Sequence, residues 1–143
     1  MTWPWFARAG ALNRAATRPD HPDPRLRGRR YAIPPTEVWT GAVAVAEGGM
    51  EGWAVTASNA DDGRLTAEAT TRIFRFVDDV EVRVSREDSR RTRVDLTSAS
   101  RVGRSDLGAN PRRIHRYLRR LDRWLETAGW DISPPPDAPA ANV

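Results

Sequence analysis

The sequence contains no cysteine and no lysine, and only two histidines, His21 and His115. Without thiols there is no disulfide, no thiolate zinc site, no iron–sulfur cluster and no cysteine nucleophile. Two histidines alone make neither a His-rich metal centre nor a convincing catalytic pair, so no metal and no cofactor is expected. Long apolar runs are also missing: nothing approaches the ~18 uninterrupted apolar residues of a membrane span. There is no phosphate-cradling glycine motif of the Walker or dinucleotide type, no GxSxG and no HExxH, and the loop RVGRSDLG lacks the second and third glycines that such a cradle needs. Nothing in this inventory demands an enzyme.

What is present describes a folded chain. A length of 143 residues, 39% hydrophobic content, 29% charged content and six tryptophans suit one domain with tails. All 23 basic residues are arginine, which stays charged at any relevant pH and presents a rigid fork to carboxylates and phosphates. The net charge of +4 hides a pattern. Residues 1–36 carry seven Arg against two Asp, residues 37–89 carry five Arg against eleven acids, and residues 90–143 carry eleven Arg against six acids. The ends are basic and the middle is acidic.

Residues 1–33 are expected to form an extended, Pro- and Arg-rich arm without regular structure. Its first stretch, Met1 to Leu12, is a poor signal peptide, because Pro4 and Arg8 interrupt it and no basic residue precedes it. Trp3, Trp5 and Phe6 beside Arg8 and Arg14 suit either a lipid headgroup surface or packing on the domain or a partner subunit. The expected location is cytoplasmic, with peripheral membrane contact as an option.

Residues 34–130 carry the domain. Pro34 and Pro35 open a short helix near Thr36, its expected cap, with Val38, Trp39, Ala42, Val43 and Ala46 on one side and Gly48-Gly49 at its end. A strand from Trp53 to Ser58 meets the hairpin chemistry of Asp61-Asp62-Gly63 and returns from Arg64 through Thr71. Period-two alternation then predicts a strand over Phe74 to Val84, with Phe74, Phe76, Val80, Val82 and Val84 on one face, and another over Thr92 to Val102. Asn110 as cap, Pro111 in the first turn and Gly129 past the end predict a helix over Pro111 to Ala128. Residues 131–143 read as a disordered Pro/Ala-rich tail. The expected fold is α+β: a single domain whose four-stranded antiparallel meander sheet carries two helices on one face. Its expected core is Trp39, Leu65, Phe74, Phe76, Val80, Val82, Leu96, Leu118, Leu121 and Leu125.

Two stretches stand out, FRFVDDVEVRV at Phe74 to Val84 and SASRVGRSDLGANPRRI at Ser98 to Ile114. With the approach DPRLRGRRYAIPP at Asp23 to Pro35, they resemble the domain of unknown function family numbered 1499, over roughly residues 13 to 125. The resemblance implies no activity. Many members of that family look membrane-tethered or exported and carry a Ser-Pro-Asn-Cys type segment ahead of the domain; here Asn13-Arg14-Ala15-Ala16-Thr17 stands there without a thiol.

The first motif sets Asp78 on the core-side face of its strand, where a lone carboxylate costs several kcal/mol. The second supplies partners: Arg101 and Arg104, with Ser98, Ser100, Ser105, Asp106 and Asn110, in a polar loop that opens onto a helix N-terminus and suits an anion. Arg101 or Arg104 is expected to reach Asp78 or Asp79, and Asp106 or Asn110 to bond the backbone where the helix begins. Three roles are open to these residues: a salt bridge that pins the loop to the sheet, a ligand site, and general acid/base catalysis by Asp78 and Asp79. Asp78 and Asp79 point to opposite faces and do not easily share one substrate. On the last helix Arg112, Arg116, Arg119 and Arg123 fall within a sector roughly 60° wide, with Arg113 and Arg120 beside it. That face suits an acidic protein surface or anionic lipid; nucleic acid is the weakest fit, for want of a base-stacking platform. The expected role is therefore a non-enzymatic accessory module that binds an anionic partner, ligand or membrane surface. The alternative is an enzyme whose polar site is formed by Asp78 and the Arg101/Arg104 loop.

Overall fold

The computed structural model of the chain describes residues 13–101, 108–133 and 136. Its elements run β1 (Arg14–Ala16), a 3-10 turn (Pro24–Leu26), β2 (Arg29–Tyr31), α1 (Pro35–Ala44) with a π turn (Val45–Gly49), β3 (Trp53–Asn59), β4 (Arg64–Thr70), β5 (Val77–Arg86), β6 (Thr92–Ser100) and α2 (Ala109–Thr127). The fold is α+β, with a single antiparallel sheet and two helices. The sheet has six strands rather than the four expected, ordered β1-β6-β5-β4-β3, with β2 also on β6.

The two additional strands come from the arm, which was expected to lack regular structure. β6 is nine residues long, and its outer edge would leave a row of unpaired backbone groups. Arg14–Ala16 pair with Thr97–Ala99, and Arg29–Tyr31 pair with Thr92–Val94. Between them stand Pro19, Pro22 and Pro24, which cannot donate to a ladder, so the edge is covered in two three-residue pieces. Pro136, in the segment read as a tail, is buried and its carbonyl accepts the Arg30 N–H at 2.9 Å.

One apolar cluster joins Val38 and Ala42 of α1, Ile114, Leu118, Leu121 and Leu125 of α2, and the inward residues Leu65, Val80, Val82, Val94 and Leu96. Both helices therefore cover one face of the sheet. Gly41 lets them approach, since a Cβ there would stand 2.7 Å from the Trp124 ring, and the Tyr117 hydroxyl donates to the Ala42 carbonyl at 2.8 Å. Of the expected core, Leu65, Val80, Val82, Leu96, Leu118, Leu121 and Leu125 are buried and Trp39 packs against them.

The two phenylalanines depart from expectation. β5 begins at Val77, and Thr71 to Phe76 form a closed turn instead of its first residues: the Thr71 N–H donates to Phe76 O at 2.8 Å and the Phe76 N–H to Thr71 Oγ1 at 2.9 Å. Phe76 is half-buried. Phe74 is 74% exposed, so the alternation that includes it is a coincidence of spacing.

The Asp61-Asp62-Gly63 hairpin forms as expected. Gly63 has φ +65°, and a Cβ there would fall 2.1 Å from the Val84 carbonyl oxygen. Gly63→Ala should therefore cost about 2 kcal/mol or more in urea unfolding, the left-handed strain plus displacement of β5. A midpoint equal to that of the wild type would contradict this packing. α1 starts without a side-chain cap, Thr36 lying inside its first turn.

Candidate functional site

The core-facing side of β5 and β6 is not wholly apolar. Asp78, Ser98 and Ser100 sit in one inward patch, with Asp78 opposite Ser100 in the ladder. α2 lays its first turns across this patch. Arg113 Nη2 approaches Asp78 Oδ2 at 2.9 Å, both side chains almost fully buried. Arg113 Nη1 donates to Ser98 Oγ at 3.0 Å and to Asn110 Oδ1 at 2.8 Å. Ser98 Oγ donates to Asn110 Oδ1 at 2.6 Å, and Asn110 Nδ2 donates to Ser100 Oγ at 3.3 Å and to the Asn13 carbonyl at 3.1 Å. A buried charge is thus paired, as burial requires. The network ties two strands, the long helix and the arm into one unit.

Among the described residues the arginine that meets Asp78 is Arg113 rather than Arg101. One expectation is corrected: Asn110 does not cap the helix, since α2 begins at Ala109, after Gly108 at φ 81°, and Asn110 turns inward. The signal for Arg113 was available. It lies four residues before Tyr117 and eight before Leu121, on the stripe that a 3.6-residue period buries.

Arg101 goes to the other face, as the alternation of Asp78 and Asp79 requires. Its Nε and Nη2 donate to the two Asp79 oxygens at 2.8 and 2.9 Å, and Nη2 also reaches Glu68 Oε2 at 2.5 Å. The Asp79 and then the Glu68 carboxylate hold its proton more tightly than usual. The expected contact of Arg101 with Asp79 is therefore present, as a half-exposed salt bridge at the end of the sheet. Arg104, Ser105 and Asp106 lie outside the described residues, as do Trp3, Trp5, Phe6 and Arg8.

The second site lies on the outer face of α2. Arg112, Arg116, Arg119 and Arg123 line a groove of about 390 Å³ together with Arg25. Arg25 is engaged by Asp23 at 2.8 Å, and that guanidinium draws the Asp23 carboxyl below its usual range. Arg120 turns aside to donate to the Gly49 carbonyl. Asp122 is drawn away from this face by Arg29 at 2.9 Å and by the Tyr31 hydroxyl at 2.5 Å. Among the described residues, no ion pair joins Arg116, Arg119 or Arg123 to a carboxylate, Glu126 included. A neighbouring groove of about 280 Å³ continues the surface, where Arg112 and Arg116 meet Thr71 and Arg72 of the β4–β5 turn. Sequence reasoning missed Arg72, because only the hairpin's folding brings it beside α2.

Among the described residues no helix is long and apolar enough to cross a membrane, and no group of three or more His, Asp or Glu is placed to hold a metal ion. The model of the family described as "Protein of unknown function (DUF1499)" matches residues 7–121. The chain belongs to the DUF1499 family. The two motifs that carried the resemblance now have structural positions: the first supplies Asp78 and Asp79, and the second supplies Ser98, Ser100, Asn110 and Arg113. Among solved structures, this DUF1499 chain is similar to TTHA0849 from Thermus thermophilus, at 12% identity over 82% of this chain and 99% of that one, with a TM-score of 0.45. It is also similar to the ZhuI aromatase/cyclase from Streptomyces sp. R1128, at 14% identity over 68% of this chain and 81% of that one, with a TM-score of 0.28. No curated protein matches it.

Proposed function

We propose that the chain is a non-enzymatic accessory module that binds an anionic partner through the arginine face of α2. The observation that carries this reading is the placement of the helix's charges. Arg113 is spent on Asp78, and Asp122 on Arg29 and Tyr31. The outward row is left arginine-rich, and no ion pair joins Arg116, Arg119 or Arg123 to a carboxylate among the described residues. Its i,i+4 pair, Arg119 with Arg123, repels by a few tenths of a kcal/mol, and an anion in the groove relieves that repulsion. The enzyme reading has less support, because Asp78 is enclosed by its partners while Arg101 stands across the sheet from it.

The test is binding to dextran sulfate across a salt series. Arg116→Gln, Arg119→Gln and Arg123→Gln combined should weaken it on the order of a hundredfold, at about fivefold per cation near a charged surface. A control with Arg86, Arg90 and Arg91 of the β5–β6 turn changed to Gln loses the same charge and should bind almost as the wild type does. Equal losses in the two variants would mean net charge alone is at work and would defeat the reading.

A further inference from the structure

The β4–β5 turn carries the two exposed large apolar side chains among the described residues, Ile73 at 83% and Phe74 at 74%. The turn is built rather than slack. Two hydrogen bonds between Thr71 and Phe76 close it, Arg75 holds φ at 59°, a region non-glycine residues seldom occupy, and the Phe74 ring stacks on Phe76 with centroids 5.7 Å apart. Arg72 and Arg75 flank the apolar tip. Arg72 and Thr71 share a groove with Arg112 and Arg116 of α2, and Arg116 continues into the groove of Arg119 and Arg123. An apolar tip therefore stands at one end of an arginine row that runs about 17 Å along the helix.

We propose that this tip and the arginine row together form a docking surface for an anionic lipid bilayer. The proposal rests on the reading of the arginine face as an anion-binding site and names its partner. Two side chains on a turn are too small to be the core of a protein interface, which takes roughly 800 Å² from each side. A nucleic acid would stack on Phe74 and leave the aliphatic Ile73 in water. A bilayer accommodates both features at once. Ile73 and Phe74 enter the headgroup–acyl boundary, and the guanidinium forks of Arg75, Arg116, Arg119 and Arg123 take lipid phosphates and carboxylates.

Cosedimentation of the full chain with vesicles tests this, using phosphatidylcholine alone and phosphatidylcholine mixed with phosphatidylserine. The wild type should partition onto the anionic vesicles at least tenfold more strongly than onto the neutral ones. Ile73→Ser with Phe74→Ser should lower partitioning onto the anionic vesicles about tenfold or more. Because both side chains are exposed, the melting curve and the binding of dextran sulfate should stay unchanged. Arg116→Gln with Arg119→Gln and Arg123→Gln should lose both vesicles and dextran sulfate. Equal partitioning of the wild type on the two vesicle types, or a tip variant that partitions like the wild type, overturns the bilayer proposal. If dextran sulfate binding persists in that case, the broader anion reading stands without a bilayer as its partner. Loss of the arginine row without effect on dextran sulfate overturns both.

Discussion

Asp78→Ala should lower the unfolding free energy by about 3 to 5 kcal/mol, the usual cost of removing one partner from a buried ion pair. The size follows from what is left behind. The Arg113 guanidinium, with only 10% of its side chain exposed, loses the carboxylate at 2.9 Å and keeps Ser98 Oγ and Asn110 Oδ1, which are neutral. Water cannot replace the lost charge without opening the contact between α2 and the sheet. Arg113→Met should cost a similar amount, because it removes the guanidinium at 2.9 Å from the buried carboxylate and takes a donor from both Ser98 and Asn110. The double variant should be more stable than the sum of the two losses predicts, since no isolated charge remains, and the difference is the coupling energy of the pair. Urea unfolding of the four proteins measures it. If Asp78→Ala stays within about 0.5 kcal/mol of the wild type, as surface substitutions do, the pair is not the buried strut described here. Asp78→Asn separates structure from function: a melting temperature that holds while vesicle or polyanion binding disappears would move Asp78 into the binding site.

Raising the pH above about 10 should destabilise the fold steeply, through two residues. The chain has no Lys and no Cys, and its two tyrosines are Tyr31 and Tyr117. Between roughly pH 9 and 12 those phenols are the side chains expected to change charge. Burial pushes the Tyr31 phenol well above its ordinary range, and the negative charge of Asp122, to which it donates, adds to the effect. Burial alone does the same to Tyr117, which donates to the Ala42 carbonyl. The folded state therefore holds both protons at a pH where the unfolded chain, ionising near 10, releases them. Stability is fully present below that value and falls by about 1.4 kcal/mol per pH unit for each tyrosine until the folded phenols ionise or the protein opens. Two tyrosines over two pH units amount to about 5 kcal/mol, a large part of a domain's stability. Phenolate absorbance should remain low past pH 10 and then rise together with the loss of near-ultraviolet dichroism. Tyr31→Phe should halve the slope of stability against pH. Two phenols ionising near pH 10 in a chain that keeps its native dichroism would contradict their burial.

Local periodicity was sufficient for much of the fold. Leu65, Ala67 and Ala69 in β4, Val80, Val82 and Val84 in β5, and Ile114, Leu118, Leu121 and Leu125 in α2 repeat at the spacing of their elements and are buried where that spacing places them. Asp61-Asp62-Gly63 carried its turn in its own chemistry, and a helical period was enough to line up Arg112, Arg116, Arg119 and Arg123. The limit was reached where two segments compete for the same role. Phe74 and Phe76 continue the alternation of β5, but the bonds between Thr71 and Phe76 close a turn there instead, which leaves Phe74 exposed and Phe76 half-buried.

The arm's pairing was likewise hidden, because Arg14–Ala16 and Arg29–Tyr31 show no strand pattern of their own and become strands only because β6 offers an open edge. Sequence order made Arg101 a natural partner of Asp78, being close along the motif. Tertiary structure chose otherwise, since Arg101 is the residue after Ser100 and emerges beside Asp79, while α2 returns across the inner face and delivers Arg113 to Asp78. The sequence by itself determined which residues alternate, which turn and which charges share a helix face, because those depend on neighbours within a few residues. Which carboxylate meets which guanidinium, and which apolar side chains stay in water, was decided only when strands and helix were brought together, because burial and ion pairing depend on elements far apart in the chain.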